Sequence, residues 1–146
     1  MSTAQENEAL LRLWFEEVWN QKRPERIAEL AAPDVIVHGL GPNGTDLHGP
    51  GAFLQVFDLF TGAFPDVKIT VEQSVGCGDM AVVLLRCEGT HGGDHLGVPA
   101  TGKKVSFAAM TMARYRDGLI AEGWNVLDLL SAMRQIGALQ TAEAMP

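Results

Sequence analysis

The sequence predicts an α+β domain: helices dominate the chain before Pro65, four consecutive antiparallel strands follow, and a short helix closes it. Three observations carry this. Apolar residues recur at helical spacing as far as Phe64, the period switches to two at Val67, and Asp117-Gly118, the strongest hairpin signal in the chain, separates two strand-like runs.

Ser2 and Thr3, with Gln5 and Glu6 three residues on, form two overlapping capping boxes for a helix running to about Asn20. Leu11, Phe15 and Val18, with Trp14 and Leu10 beside them, are its apolar stripe. Pro24 opens a second, short helix containing Ile27, Leu30 and Ala31, and Pro33 is expected to end it. Val35-Ile36-Val37-His38 reads as a brief strand, followed by a loop of Gly39, Gly41, Pro42, Asn43 and Gly44. Pro50 opens a third helix in which Phe53, Phe57, Phe60 and Phe64 fall at i, i+4, i+7 and i+11, and Pro65 stops it. Val67, Ile69 and Val71 then alternate with Lys68, Thr70 and Glu72. After a turn at Gly76-Cys77-Gly78-Asp79, strands are expected over Met80 to Thr90, about Lys104 to Arg116, and Leu119 to about Leu127. Asp128 can cap a final helix containing Leu130, Met133 and Ile136, with Gly137 at its end.

The strand over Lys104 to Arg116 is apolar on both faces, with Val105, Phe107, Ala109, Ala113 and Tyr115 on one and Ala108, Met110 and Met112 on the other. A sheet covered on one side only would show a polar second face. The remaining helices are too few to cover both, so a homodimer through the sheet face is expected.

The length of 146 residues suggests one domain, residues 1–146, and lets roughly 68% of the unfolded chain's surface be buried. The 11 basic residues against 18 acidic give a charge of −7, which argues against nucleic acid as a partner. No run reaches 18 apolar residues, so no membrane span is expected, and the polar, acidic first residues do not read as a signal peptide, which makes the cytoplasm the default. Cys77 and Cys87 form no CxxC and are expected to be reduced.

The phenylalanine stripe is large enough to wall a pocket for a small apolar or aromatic ligand, although the same spacing also describes ordinary core packing. Trp14, Trp19 and Trp124 share that ambiguity. Gly39-x-Gly41-x-x-Gly44 matches a dinucleotide fingerprint literally, but Pro42 sits inside it and no helix follows, so it belongs to a turn. His91-x-x-Asp94-His95 holds metal-ligating residue types in a glycine-rich segment, which reads better as loop residues or donors at a pocket mouth. On the last strand, alternation places Glu122, Trp124 and Val126 on one face and Ala121, Gly123, Asn125 and Leu127 on the other. Asp128 could act as a general base or acid, or as the helix cap. No GxSxG or activated cysteine suggests covalent catalysis.

Val18-Trp19-Asn20-Gln21, Ala32-Pro33-Asp34-Val35, Phe64-Pro65-Asp66, Gly89-Thr90-His91, Gly97-Val98-Pro99-Ala100-Thr101-Gly102, Arg116-Asp117-Gly118 and Glu122-x-Trp124-Asn125-x-x-Asp128 resemble, in order, the SnoaL-like polyketide cyclases of the nuclear transport factor 2-like, ketosteroid-isomerase-like superfamily. The resemblance implies a cone-shaped α+β barrel, in which a curved antiparallel sheet is wrapped by N-terminal helices around a hydrophobic cavity. It also implies ring closure or isomerisation of apolar polycyclic carbonyl compounds, without metal or organic cofactor. Relatives on this fold include hydroxylases and proteins that only bind. The aspartate that serves the cyclases as general base matches Asn125, and its histidine partner matches Thr111, so the ionisable pair is replaced by a neutral one. His38, His91 and Asp128 are then the titratable candidates for proton transfer. Trp14, Phe15, Phe53, Phe57, Phe60, Phe107 and Trp124 are the candidate substrate-binding residues.

Overall fold

The computed structural model describes residues 2–139. The Thr3 side chain accepts a hydrogen bond from the Glu6 N–H and starts helix α1, Ala4–Trp14. From Phe15 to Asn20 the helix continues in the wider π register, with the Gln21 N–H donating to the Glu16 carbonyl at 2.8 Å. The helix expected to run to Asn20 is therefore present but changes pitch. In a π register residues five apart come onto one face. Trp14, Phe15, Val18 and Trp19 are all buried as a result, a wider apolar face than a 3.6 period gives.

Helix α2, Glu25–Leu30, stops before Pro33, which lies inside strand β1, Ala31–His38. This corrects the expected helix stop and the shorter strand. The pairing register of β1 is irregular between Ala31 and Ile36, where a residue without an N–H is tolerated. A tight turn at Pro42–Gly44 leads to the two-residue strand β2, Leu47–His48, and helix α3 spans Pro50–Ala63. Four strands follow: β3 (Lys68–Cys77), β4 (Met80–Thr90), β5 (Lys104–Arg116) and β6 (Leu119–Leu127). Asp117 and Gly118 stand at φ 53° and 78°, the left-handed pair that a two-residue hairpin requires. Helix α4 spans Leu129–Gln135.

The sheet order is β2-β1-β6-β5-β4-β3. It is not closed. The four consecutive antiparallel strands are those read from the sequence, but β1 pairs parallel to β6, a contact that no local pattern announces. Parallel neighbours need a long connection, and here it is the whole chain from Gly39 to Gly118. Register shifts between Val71 and Gln73 and between Arg114 and Tyr115 are bulges, which bend a sheet and increase its twist. The helices pack on the concave side. The alternate residues Val105, Phe107, Ala109, Thr111, Ala113 and Tyr115 of β5 all face this core. On the convex side Met110 is 48% and Val126 73% exposed. No helix among the described residues is long and apolar enough to cross a membrane.

Candidate active site

Thr111 and Asn125 lie directly opposite each other on β5 and β6. The Thr111 hydroxyl donates to Asn125 Oδ1 at 2.7 Å, and Asn125 Nδ2 donates to the His38 backbone carbonyl at 3.4 Å. An amide nitrogen has two hydrogens, so one N–H of Asn125 is left for a ligand. Gly39 makes this arrangement possible. At φ +90° it carries the chain away from β1, and a Cβ there would stand 2.2 Å from the Asn125 carbonyl oxygen.

The pair forms the polar floor of an apolar cavity of about 60 Å³. From the helical side Trp14, Phe15, Trp19, Phe53, Phe60 and Phe64 supply its aromatic wall. Leu85, Cys87, Phe107 and Ala109 come from the sheet. The rings pack edge-on or tilted: Trp14 and Trp19 meet Phe53 at 5.1 and 6.0 Å between centroids, and Trp19 meets Phe57 at 5.2 Å. Asn20 fixes the end of the π segment by gripping β3, donating to the Ile69 carbonyl at 2.8 Å and accepting from the Ile69 N–H at 2.7 Å. Asp66 accepts from the Thr90 N–H and hydroxyl at 2.7 and 2.8 Å, which ties the end of α3 to β4 and holds its carboxyl below the usual range. Cys87 is the one titratable residue lining the cavity, and burial pushes its thiol up to about 12. No lining group is therefore a base at neutral pH.

Five of the expected ligand-contacting residues, Trp14, Phe15, Phe53, Phe60 and Phe107, line this cavity, together with Thr111 and Asn125. Phe57 does not; it is buried behind Trp19. Trp124 lies on the other face of the sheet. Its ring is stacked on the His38 imidazole at 5.3 Å and 22°, and the Arg114 guanidinium lies 5.4 Å from its centroid. Trp19 and Phe64, whose spacing fits either a pocket wall or a core, also line the cavity, as does Cys87, which no pattern singles out. The i, i+5 relation of Trp14 and Trp19 was the available signal, legible only to a reader looking for a π register.

The three titratable candidates, Asp128, His38 and His91, lie outside the cavity lining, each for a physical reason. Asp128 is exposed and caps α4, accepting from the Ser131 hydroxyl at 2.7 Å and the Ser131 N–H at 3.1 Å; these bonds hold its carboxyl below the usual range. The His38 ring is held by two carboxylates, with Nε2 2.7 Å from Glu122 and Nδ1 2.7 Å from Asp46. Those bonds, Glu122's first, raise its pKa. Only its backbone carbonyl reaches Asn125. His91 is fully buried, and its Nδ1 accepts from the Thr101 N–H at 3.3 Å. With the Gly102 N–H on its carbonyl and its own N–H on Lys103, it anchors the loop between β4 and β5. Asp94 and His95 are exposed while His91 is buried, and among the described residues no three or more His, Cys, Asp or Glu converge as metal ligands.

An open, curved sheet around an apolar cavity, closed by helices on its concave side, is the architecture of the nuclear transport factor 2-like α+β domains. The sequence pattern of the SnoaL-like polyketide cyclases matches residues 9–136, and the chain belongs to that family. Aklanonic acid methyl ester cyclase DnrD of Streptomyces peucetius is 27% identical over 125 residues, covering 83% of this chain and 84% of its own. Its counterpart DauD of Streptomyces sp. strain C5 is also 27% identical over 125 residues, covering 83% of this chain and 76% of its own. Among solved structures, IdmH of Streptomyces antibioticus, a proposed polyketide cyclase, is 32% identical with a TM-score of 0.78, covering 88% of this chain and 96% of IdmH. AclR of Streptomyces galilaeus, a proposed hydroxylase, shares the fold at a TM-score of 0.83 and 23% identity, covering 96% of this chain and 86% of AclR.

Proposed function

We propose that this protein binds an apolar polycyclic carbonyl compound in the aromatic cavity and promotes ring closure or isomerisation through its enolate. One observation carries the reading. The Thr111 hydroxyl holds the Asn125 amide so that a free N–H stands at the floor of an otherwise apolar cavity, where a carbonyl oxygen gaining negative charge is stabilised. The cyclase names of DnrD and DauD, and the family itself, support the substrate class.

The chemistry differs from that of a site with an ionisable pair. A positioned acid or base is worth about 10²–10⁴-fold, or roughly 3–5.5 kcal/mol. Without one among the lining residues, the proton goes to water, and the substrate must supply the acidity itself. A carbon flanked by two carbonyls meets that need. The test is turnover of a polycyclic β-keto ester by the wild type and by Asn125→Leu. Loss of one oxyanion donor should lower kcat by about 10²–10³-fold. Equal rates would sink the reading.

The neutral cavity also favours a second reading, a cofactor-free hydroxylase acting on an electron-rich aromatic polyketide, for which a water-poor pocket matters more than a base. Oxygen uptake dependent on such a substrate separates the two. We also infer a homodimer, supported by the exposed apolar side chains of the convex sheet face around Met110 and Val126.

A further inference from the structure

A second apolar void, of about 30 Å³, lies beside the first, toward β1 and α2, where Ile27, Val35, Val37 and Ile120 line it. Four residues line both voids: Trp14, Phe53, Thr111 and Asn125. The hydrogen-bonded pair is thus the common floor on the sheet side. On the helical side the shared residues are the two rings in edge contact, 5.1 Å apart at 62°.

Even taken together, the voids fall far short of the roughly 300 Å³ at which small-molecule pockets begin. A polycyclic ligand must displace side chains to bind. The β5–β6 ladder is a poor candidate, because its backbone groups are paired along its length. The Trp14–Phe53 contact is a better one. Phe53 sits in the first turn of α3, which follows Gly49 at φ +84° and has no side-chain cap, and the Gly51 Cβ position opens onto empty space. Trp14 is the last α-helical residue before the π segment, where the helix register already changes.

We propose that Phe53, seated against Trp14, is a movable partition whose displacement joins the two voids, and that it selects substrates carrying the reacting carbonyl at mid-molecule. Fused rings then extend to both sides of Asn125, the larger part among Phe60, Phe64 and Phe107 and the smaller toward Ile27 and Val37. A ligand with its carbonyl at one end needs only the first void, for which Phe53 is wall and not barrier. This rests on the reading that Asn125 receives the substrate carbonyl.

The test compares two neutral ketones by equilibrium dialysis: anthrone, whose carbonyl is flanked by rings on both sides, and 1-tetralone, whose carbonyl lies at the end of a bicycle. Opening the partition with Phe53→Ala should raise the affinity for anthrone relative to tetralone by about tenfold or more, tetralone losing only a wall contact. Phe53→Trp should lower the same ratio by about tenfold. Phe53→Leu, which keeps more of the core volume, provides the same contrast should the alanine variant fail to fold. Asn125→Leu should weaken both ketones. Phe53 variants that shift both ketones alike, or neither, while Asn125→Leu still weakens both, overturn the partition and leave the site reading standing. Ketones insensitive to Asn125→Leu, or no binding of either to the wild type, overturn the site reading and with it the mid-molecule placement.

Discussion

Replacing Asn125 by aspartate puts a base where the cavity has none, and its cost follows from the neighbours already described. Thr111 Oγ1–H, 2.7 Å from Asn125 Oδ1, would donate to the new carboxylate and favour its charge. Two effects oppose it. The His38 carbonyl, now an acceptor 3.4 Å from Nδ2, would face an oxygen and not an N–H, and the lining supplies apolar surface and no cation. With two unfavourable effects against one favourable, the introduced carboxyl in Asn125→Asp should titrate above an ordinary aspartate, and each tenfold weakening of its acidity costs about 1.4 kcal/mol at neutral pH. The native state then binds the proton more tightly than the unfolded state. Stability is therefore unaffected near pH 4, falls as pH rises toward the folded pKa, and is level above it. In thermal melts the variant should match the wild type at about pH 4 and melt roughly 4–10 °C lower at pH 8. On a polycyclic β-keto ester the same substitution trades the oxyanion donor, worth about 10²–10³-fold, for a base worth about 10²–10⁴-fold, and the rate should gain a limb that follows the carboxyl's ionisation. Melting curves that run parallel from pH 4 to 8 would show that the side chain is not in the apolar surroundings assigned to it. A rate without that limb would show that the cavity floor is not where the proton leaves.

Three further outcomes are expected. Gly39→Ala, forced to place a Cβ 2.2 Å from the Asn125 carbonyl at a positive φ, should lose roughly 2–4 kcal/mol in denaturant titrations and bind ketones poorly; wild-type values for both would refute the close approach. The raised pKa of His38 means its ion pairs stabilise the fold fully below about pH 6.5 and progressively less as pH rises through the folded value. His38→Gln should remove that slope from the melting profile, and an unchanged slope would assign it elsewhere. Met110→Lys and Val126→Lys should convert a dimer into a monomer by sedimentation analysis, whereas a monomeric wild type, or an unchanged mass in both variants, would refute association through the convex face.

The long strands were legible because their cause is local. Period-two apolar runs and the Asp117-Gly118 turn need no distant partner, and β4 and β5 begin and end where the pattern does. The same alternation lets Asn125 and Thr111 both face the cavity, which they line. One residue escaped it on β6: the bulge makes Tyr115 pair with Ile120 and Arg114 with Glu122, so Ile120 is buried although simple alternation puts it with Trp124 outside. What stayed hidden depends on contacts distant in sequence or on a helix of unusual pitch. The parallel seat of β1 against β6 decides that the His38 ring faces Glu122 and Trp124 and not the cavity. The carboxyl of Asp128 had two competing uses, and the nearby Ser131 N–H and hydroxyl settle it as a cap.

The grip of Asn20 on Ile69 reaches beyond the packing of Trp19. Strand β3 is an outer edge of an open sheet, and an edge with free N–H and C=O groups invites another chain to add itself as a strand. By donating to the Ile69 carbonyl and accepting from its N–H, the Asn20 amide occupies both groups as a neighbouring peptide would. Further along, the bulge near Glu72 breaks the register a newcomer would need, and at the opposite edge β2 is only two residues long. Both edges of the sheet are thus hindered as seats for an added strand, which disfavours growth edge to edge into fibres.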